Sequence, residues 1–267
     1  MIPRSYLFVP GDRPDRFEKA RTSGAHVVIL DLEDAVAMEH KEQARTAVAE
    51  WLDAARRVYV RVNAPQSLHF AADLALLGRP GIAGVLVPKV EAPEDIAPVA
   101  DTFPGDAPIV PLVESAQGVW NARAIAAHPR VPRLIFGSWD FQLDVGIPGD
   151  EDELLYARSH LVLMSRLARA WPPVDGVTAV LDDPDRLAHD IARSRRIGFG
   201  GKLCIHPKQI VAVNAGYAPI PAEIAWAREI VAAADAASAT GALRVAGQMV
   251  DRPVIERAKT ILAEAGE

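Results

Sequence analysis

The chain of 267 residues is 50% apolar and carries a formal net charge of −6, a length and composition that suit one large α/β barrel or two small domains. The acidic balance, with no block of like charges, excludes a nucleic-acid binder, whose affinity needs a basic surface. No apolar run approaches the roughly 18 to 20 residues that cross a bilayer, and a lone Cys204 excludes an internal disulfide framework and fits a reducing compartment.

The first apolar run, Tyr6 to Val9, is broken by Pro10, Gly11 and Asp12 before a secretion signal forms, so a cytoplasmic protein is expected. Further short runs follow at Val27 to Leu32, Val58 to Val62, Val85 to Val90, Ile109 to Val113, Leu134 to Phe136, Val174 to Val177 and Leu203 to Ile205. They lack strict polar alternation, as strands covered on both faces do. Amphipathic segments lie between them at Asp15 to Ser23, Lys41 to Leu52, Gln117 to Ala127, Glu151 to Ala170 and Asp183 to Arg195. In the segment from Glu151, residues Leu154, Ala157, Leu161, Met164 and Ala168 mark one buried helical face. Strands alternating with helices, about one pair every 28 residues, predict a closed (β/α)8 TIM barrel over residues 1–220. Residues 221–267 read as a helical extension of the same domain: a long helix from Pro221, a turn containing Gly241, then a last helix after Pro253. A lid or an oligomer contact is the expected role.

Chemistry in such a barrel sits at the carboxyl ends of the strands. The polar residues ending the runs are Asp12; Asp31, Glu33 and Asp34; Arg61 and Asn63; Lys89; Glu114; Asp140; and His206. Several carboxylates aimed at one mouth repel one another unless a cation neutralises them. With no His-rich or Cys-rich cluster, oxygen ligands point to Mg2+ or Mn2+ rather than zinc. Position alone leaves Glu114 and Asp140 as either metal ligands or strand-end salt bridges.

A basic group, Arg13, Arg16, Lys19 and Arg21, follows the first strand. Arg13, Arg16 and Lys19 share a helical face suited to phosphate, although a solvated face is the commoner role for such spacing. The GFGGKL segment at Gly198 to Leu203 lacks the first glycine and the Ser or Thr of a phosphate loop, so its glycines are read as turn-forming. His206 is either a base or a side chain that orients its loop. Cys204 is read as a small buried apolar residue.

Taken in order, LFVPGDRP, VVILDLEDAV, VRVN, VLVPKVE, PLVESAQGVWNA, LIFGSWDF, GFGGKLCIHPKQI and GQMVDRPV resemble the citrate lyase β-subunit-like branch of the HpcH/HpaI aldolase superfamily, nearly end to end. The resemblance implies a Mg2+-dependent barrel, commonly a homotrimer, that cleaves or forms CoA thioesters such as citramalyl-CoA, malyl-CoA or citryl thioesters. It implies Glu114 and Asp140 as metal ligands and Arg61 as the group holding substrate oxygens. Asp251 matches an acid that enters a neighbouring subunit's site, Arg16 and Lys19 fall where CoA phosphates are contacted, and Ile205 and His206 line the CoA site. Two residues depart from the pattern: His26 stands where relatives carry Asp, and Trp139 is unusual beside the metal aspartate. Rival readings are a CoA-independent aldolase of 4-hydroxy-2-oxo acids, a non-catalytic thioester-binding subunit, and a thioesterase.

Overall fold

The computed structural model describes residues 2–237, 243–245 and 248–266. Residues Pro3–Gly216 form one compact unit, and the chain from Tyr217 forms a second. The first is a closed barrel of eight parallel strands: β1 (Ser5–Pro10), β2 (Val27–Asp31), β3 (Val58–Arg61), β4 (Ile82–Val87), β5 (Ile109–Val113), β6 (Ile135–Phe136), β7 (Val174–Asp175) and β8 (Gly201–Cys204). Each strand pairs with its sequence neighbour, and β8 returns to β1 through Ser5↔Lys202 to Leu7↔Cys204. Every predicted run thus contributes a strand, and the expected TIM barrel is the fold.

The barrel is filled, not hollow. Tyr6, Val27, Ile29, Leu86, Val110, Leu112, Ile135, Val174 and Leu203 make one buried cluster inside it. Each such side chain contributes roughly 1.5–3 kcal/mol by leaving water. Side chains alternate across a strand, so the neighbours of these residues face the surrounding helices: Leu203 points inward, while Lys202 and Cys204 are buried on the outer side. Burial pushes the Cys204 thiol up to about 12, so the residue acts as an apolar filler, as its sequence context suggests.

Around the barrel run helices α1 (Phe17–Arg21), α2 (Lys41–Trp51), α3 (Phe70–Leu74), α4 (Ala97–Thr102), α5 (Ala116–Trp120), α6 (Ala122–Ala126), α7 (Ser138–Val145), α8 (Leu155–Leu167), α9 (Pro184–Ile197) and α10 (Ile210–Gly216). The segment expected as one helix over Gln117 to Ala127 is two, because Asn121 leaves helical geometry with ψ near 4° between them. Strand β4 begins earlier than the run at Val85 suggests. Its Gly84 leaves room for the Tyr59 ring, which a Cβ there would meet at 2.5 Å. Gly198, with φ of 116°, ends α9 in the left-handed conformation that favours glycine, so the GFGG segment is a turn.

The second unit holds α11 (Pro221–Ala237), an antiparallel pair of β9 (Leu243–Val245) and β10 (Gln248–Val250), and α12 (Arg252–Ala265). Ala227, Ile230, Val250 and Ala258 are its core. Residue 241, expected in a turn, lies outside the described residues. No described helix is long and apolar enough to cross a membrane.

Candidate active site

Strands β2 and β3 end side by side, with Asp31 opposite Arg61. The Arg61 guanidinium donates from Nε and Nη2 to the two carboxylate oxygens of Asp31 at 2.7 and 2.6 Å, and its Nη1 lies 2.8 Å from Glu33. It also stacks over Phe8, 4.6 Å from the ring centroid. Asp31 is fully buried and Arg61 nearly so. Burial alone would lower the Arg61 pKa, but Asp31 and Glu33 more than offset this and raise it, so the charge is fixed. Two buried carboxylates therefore already have a protein cation.

Beneath this pair is a supporting layer. Lys41 donates to the carbonyls of Leu32 and Glu33 at 2.8 and 2.7 Å, pinning the loop after β2. Arg45 holds Asp73, which accepts from the backbone N–H and side-chain amide of Asn63. Asn63 of the VRVN string is thus a structural residue under the site.

Lys89, after β4, takes up a left-handed backbone conformation with φ of 53°, uncommon for a side chain of this kind. The turn directs its N–H at Glu114 Oε1 (2.8 Å) while its Nζ reaches Glu33 Oε1 (2.7 Å), and Asp34 lies 3.6 Å away. Sequence reasoning places Lys89 at a strand end but assigns it no task, since a left-handed lysine leaves no mark in composition or period.

Glu114 follows β5, where Ser115 caps α5 by accepting from the Gly118 N–H. Glu114 is 3% exposed. Asp140 stands in the first turn of α7, which begins directly after the two residues of β6. Gly137 between them makes the approach feasible, because a Cβ at that position would fall 2.4 Å from Glu114 Oε2. Neither Glu114 nor Asp140 is ion-paired with any described residue. Burial, followed by the charges of Asp140 and Glu33, pushes the Glu114 carboxyl up to about 8.

Asp31, Asp34, Arg61, Glu114 and Asp140 line one cavity of about 270 Å³, together with Phe8, Leu112, Trp139, Val177, Leu203 and Ile205. The candidate ligand atoms are all oxygens, and two of the carboxylates form no salt bridge with a described residue. This arrangement fits a hard divalent cation held by Glu114 and Asp140. A second group with metal-ligand chemistry, the carboxylates of Glu151 and Asp190 with the His189 imidazole, lies elsewhere on the barrel. Arg186 and Arg193 reach Glu151 at 3.0 and 2.6 Å, and Arg186 reaches Asp190 at 3.0 Å, so its charge is already answered.

A second cavity, of about 360 Å³, is lined by Arg16, Lys19, Ile205 and His206 with Phe8 and Pro10. Phe8 and Ile205 belong to both cavities. Of the four basic residues after β1, Arg13 is paired with Asp15 and Arg21 with Glu18, leaving Arg16 and Lys19 at the cavity wall. His206 Nδ1 accepts from the Lys208 N–H, so the residue orients its loop through one nitrogen. His26 is surface-facing and accepts from the Arg4 N–H.

Residues 4–207 match the family model described as HpcH/HpaI aldolase/citrate lyase. The chain belongs to this family. Among its relatives, the citrate lyase subunit beta-like protein of Deinococcus radiodurans is 39% identical over 97% of this chain and 96% of the relative. The (3S)-malyl-CoA thioesterase of Cereibacter sphaeroides is 36% identical over 98% of this chain and 94% of its own length. The solved structure of protein CitE from Mycobacterium tuberculosis in complex with magnesium, acetoacetate and coenzyme A superposes with a TM-score of 0.86 at 34% identity, covering 99% of this chain and 98% of that one. This HpcH/HpaI family member carries Asp251 as the N-cap of α12, where the side chain accepts from the Val254 N–H.

Two expectations follow from the packing at Glu114. Gly137→Ala should displace Glu114 as a whole, since the new methyl would meet its Cβ at 2.6 Å as well as its carboxylate, weakening Mg2+ binding roughly 10- to 100-fold, as loss of support for a ligand does; calorimetric titration reads this. The second concerns pH. Because the folded pKa of Glu114 is raised, its contribution to stability is present below about pH 4.5 and is lost as pH rises to about 8. Melting temperatures of EDTA-treated protein should fall over that window, and the gain on adding Mg2+ should grow with pH.

Proposed function

We propose that the protein is a divalent-metal-dependent carbon–carbon lyase acting on 3-hydroxyacyl-CoA thioesters. The observation that carries this reading is the pair Glu114 and Asp140: two carboxylates on one cavity, in no salt bridge with a described residue, in a fold whose solved relative is bound to magnesium and coenzyme A. Mg2+, or Mn2+ in its place, would act there as a Lewis acid toward the keto oxygen of a 2-oxo acid.

The chain's own residues supply the rest. Arg61 commits two N–H groups to Asp31 and makes an ionic contact with Glu33; a guanidinium has five, which leaves the others for substrate oxygens. In the cleavage direction the 3-hydroxyl loses its proton, the bond between C2 and C3 of the acyl chain breaks, and the electron pair moves onto the thioester as an enolate, which is protonated at carbon. Fixed positive charge near that oxyanion is the largest expected catalytic term. Glu33 and Lys89 hold Arg61 and Glu114 in place rather than touching substrate. Arg16 and Lys19 would receive the phosphates of coenzyme A, with Ile205 and His206 against its chain. The resemblance at MVDRP is what supports Asp251 as the proton-exchanging group, brought by a neighbouring copy in a homotrimer.

The test is turnover of citramalyl-CoA and malyl-CoA with Mg2+, following release of acetyl-CoA and the oxo acid against release of free coenzyme A. The lyase reading expects acetyl-CoA; free coenzyme A alone would instead support the thioesterase activity named for the Cereibacter relative. Cleavage of free 4-hydroxy-2-oxo acids, or full activity in EDTA, would contradict it.

A further inference from the structure

The proposed oxo-acid cavity is lined by two unlike sets of side chains. One carries Asp31, Asp34, Arg61, Glu114 and Asp140, four carboxylates against one guanidinium. Arg61 is the one cationic side chain lining the cavity, and Lys89 nearby is turned to Glu33 and Asp34. The other set is mainly apolar. Phe8 and Ile205 are shared with the neighbouring cavity and so face the thioester side. Leu112 lies two residues before Glu114 on the same inward face of β5, and Val177 follows β7. Trp139 precedes Asp140 in the first turn of α7 and is 51% exposed, an aromatic ring at the cavity wall with no packing requirement of its own.

We propose that Trp139, with Leu112 and Val177, determines which oxo acid the site accepts: one bearing a short uncharged alkyl substituent, to the exclusion of a second carboxylate. The inference rests on the lyase reading and narrows its substrate class. An alkyl group against these three side chains leaves water at a gain, and one methylene in such a pocket is worth about 10- to 200-fold in selection. A second carboxylate in the same place would be stripped of water beside a wall that carries no positive charge, in a cavity already lined by four carboxylates. Arg61 is the single cation lining this cavity, and Asp31 and Glu33 fix its position.

The experiment is calorimetric titration of the Mg2+-loaded full chain with pyruvate, 2-oxobutyrate and oxaloacetate, for the native protein and for Trp139→Phe, Trp139→Ala and Trp139→Arg. Trp139 is half exposed, so these variants should fold, and melting temperatures confirm it. Native protein should bind pyruvate and 2-oxobutyrate at least about tenfold more tightly than oxaloacetate. Trp139→Phe should keep that ratio, Trp139→Ala should erode it by weakening 2-oxobutyrate most, and Trp139→Arg should shift it at least about tenfold toward oxaloacetate. Equal affinity for oxaloacetate in the native protein, or a ratio unmoved by Trp139→Ala and Trp139→Arg, overturns the proposal while leaving the lyase reading standing. Failure of all three acids to bind with Mg2+ overturns both.

Discussion

Glu114→Gln and Asp140→Asn are each expected to lower Mg2+-dependent turnover by more than the roughly 10- to 100-fold that loss of a supporting group costs, because each removes a charged ligand outright. The accompanying change in stability makes the result diagnostic. In the metal-free protein Glu114 is a buried carboxyl in no salt bridge with a described residue, pushed up to about 8 by burial and the charges of Asp140 and Glu33. The neutral amide relieves that cost, so Glu114→Gln should melt no lower than the native chain at pH 8 without Mg2+ and should lose most of the rise that Mg2+ gives the native protein. A variant that is inactive and also badly destabilised would mean that Glu114 is a structural residue.

Arg61 should show the opposite combination. Arg61→Met leaves Asp31 fully buried and Glu33 nearly so, both without their guanidinium. Breaking a buried pair by removing one partner costs about 3–5 kcal/mol, so the variant should unfold at markedly lower denaturant and lack activity. Arg61→Lys keeps a charge but not the two-pronged fit to Asp31, nor the flat face over Phe8. It should recover part of the stability and little of the turnover. Denaturant titration beside a kinetic assay separates the two losses. Equal recovery of both would show that Arg61 serves the site as a point charge alone.

These contrasting outcomes also mark how far the amino-acid sequence reaches. The strands are legible because barrel strands covered on both faces are short apolar runs; β4 starts before its run because Ala83 and Gly84 add length without an apolar signature, Gly84 serving the Tyr59 ring. The division of the helix after β5 is not legible, since Asn121 is compatible with either course. At the strand ends the residue types can be read, but their partners cannot. Asp31, Glu33, Glu114 and Asp140 look alike in sequence, and only the folded arrangement pairs Arg61 and Lys89 with the first two and leaves the other two without a salt bridge among the described residues. The basic residues after β1 behave the same way: Arg13 and Arg21 find acidic neighbours, whereas Arg16 and Lys19 meet a cavity wall. Gly137 and the left-handed turn at Lys89 are matters of close approach and backbone geometry, which periodicity does not carry.

The account turns on where a divalent cation resides. Crystals soaked with Mn2+ and pyruvate, with anomalous diffraction collected at the manganese edge, answer this directly. The expected map has one strong peak bonded to carboxylate oxygens of both Glu114 and Asp140, absent from Glu114→Gln crystals. A peak at Glu151, His189 and Asp190, or none in the barrel mouth at saturating Mn2+, would contradict it.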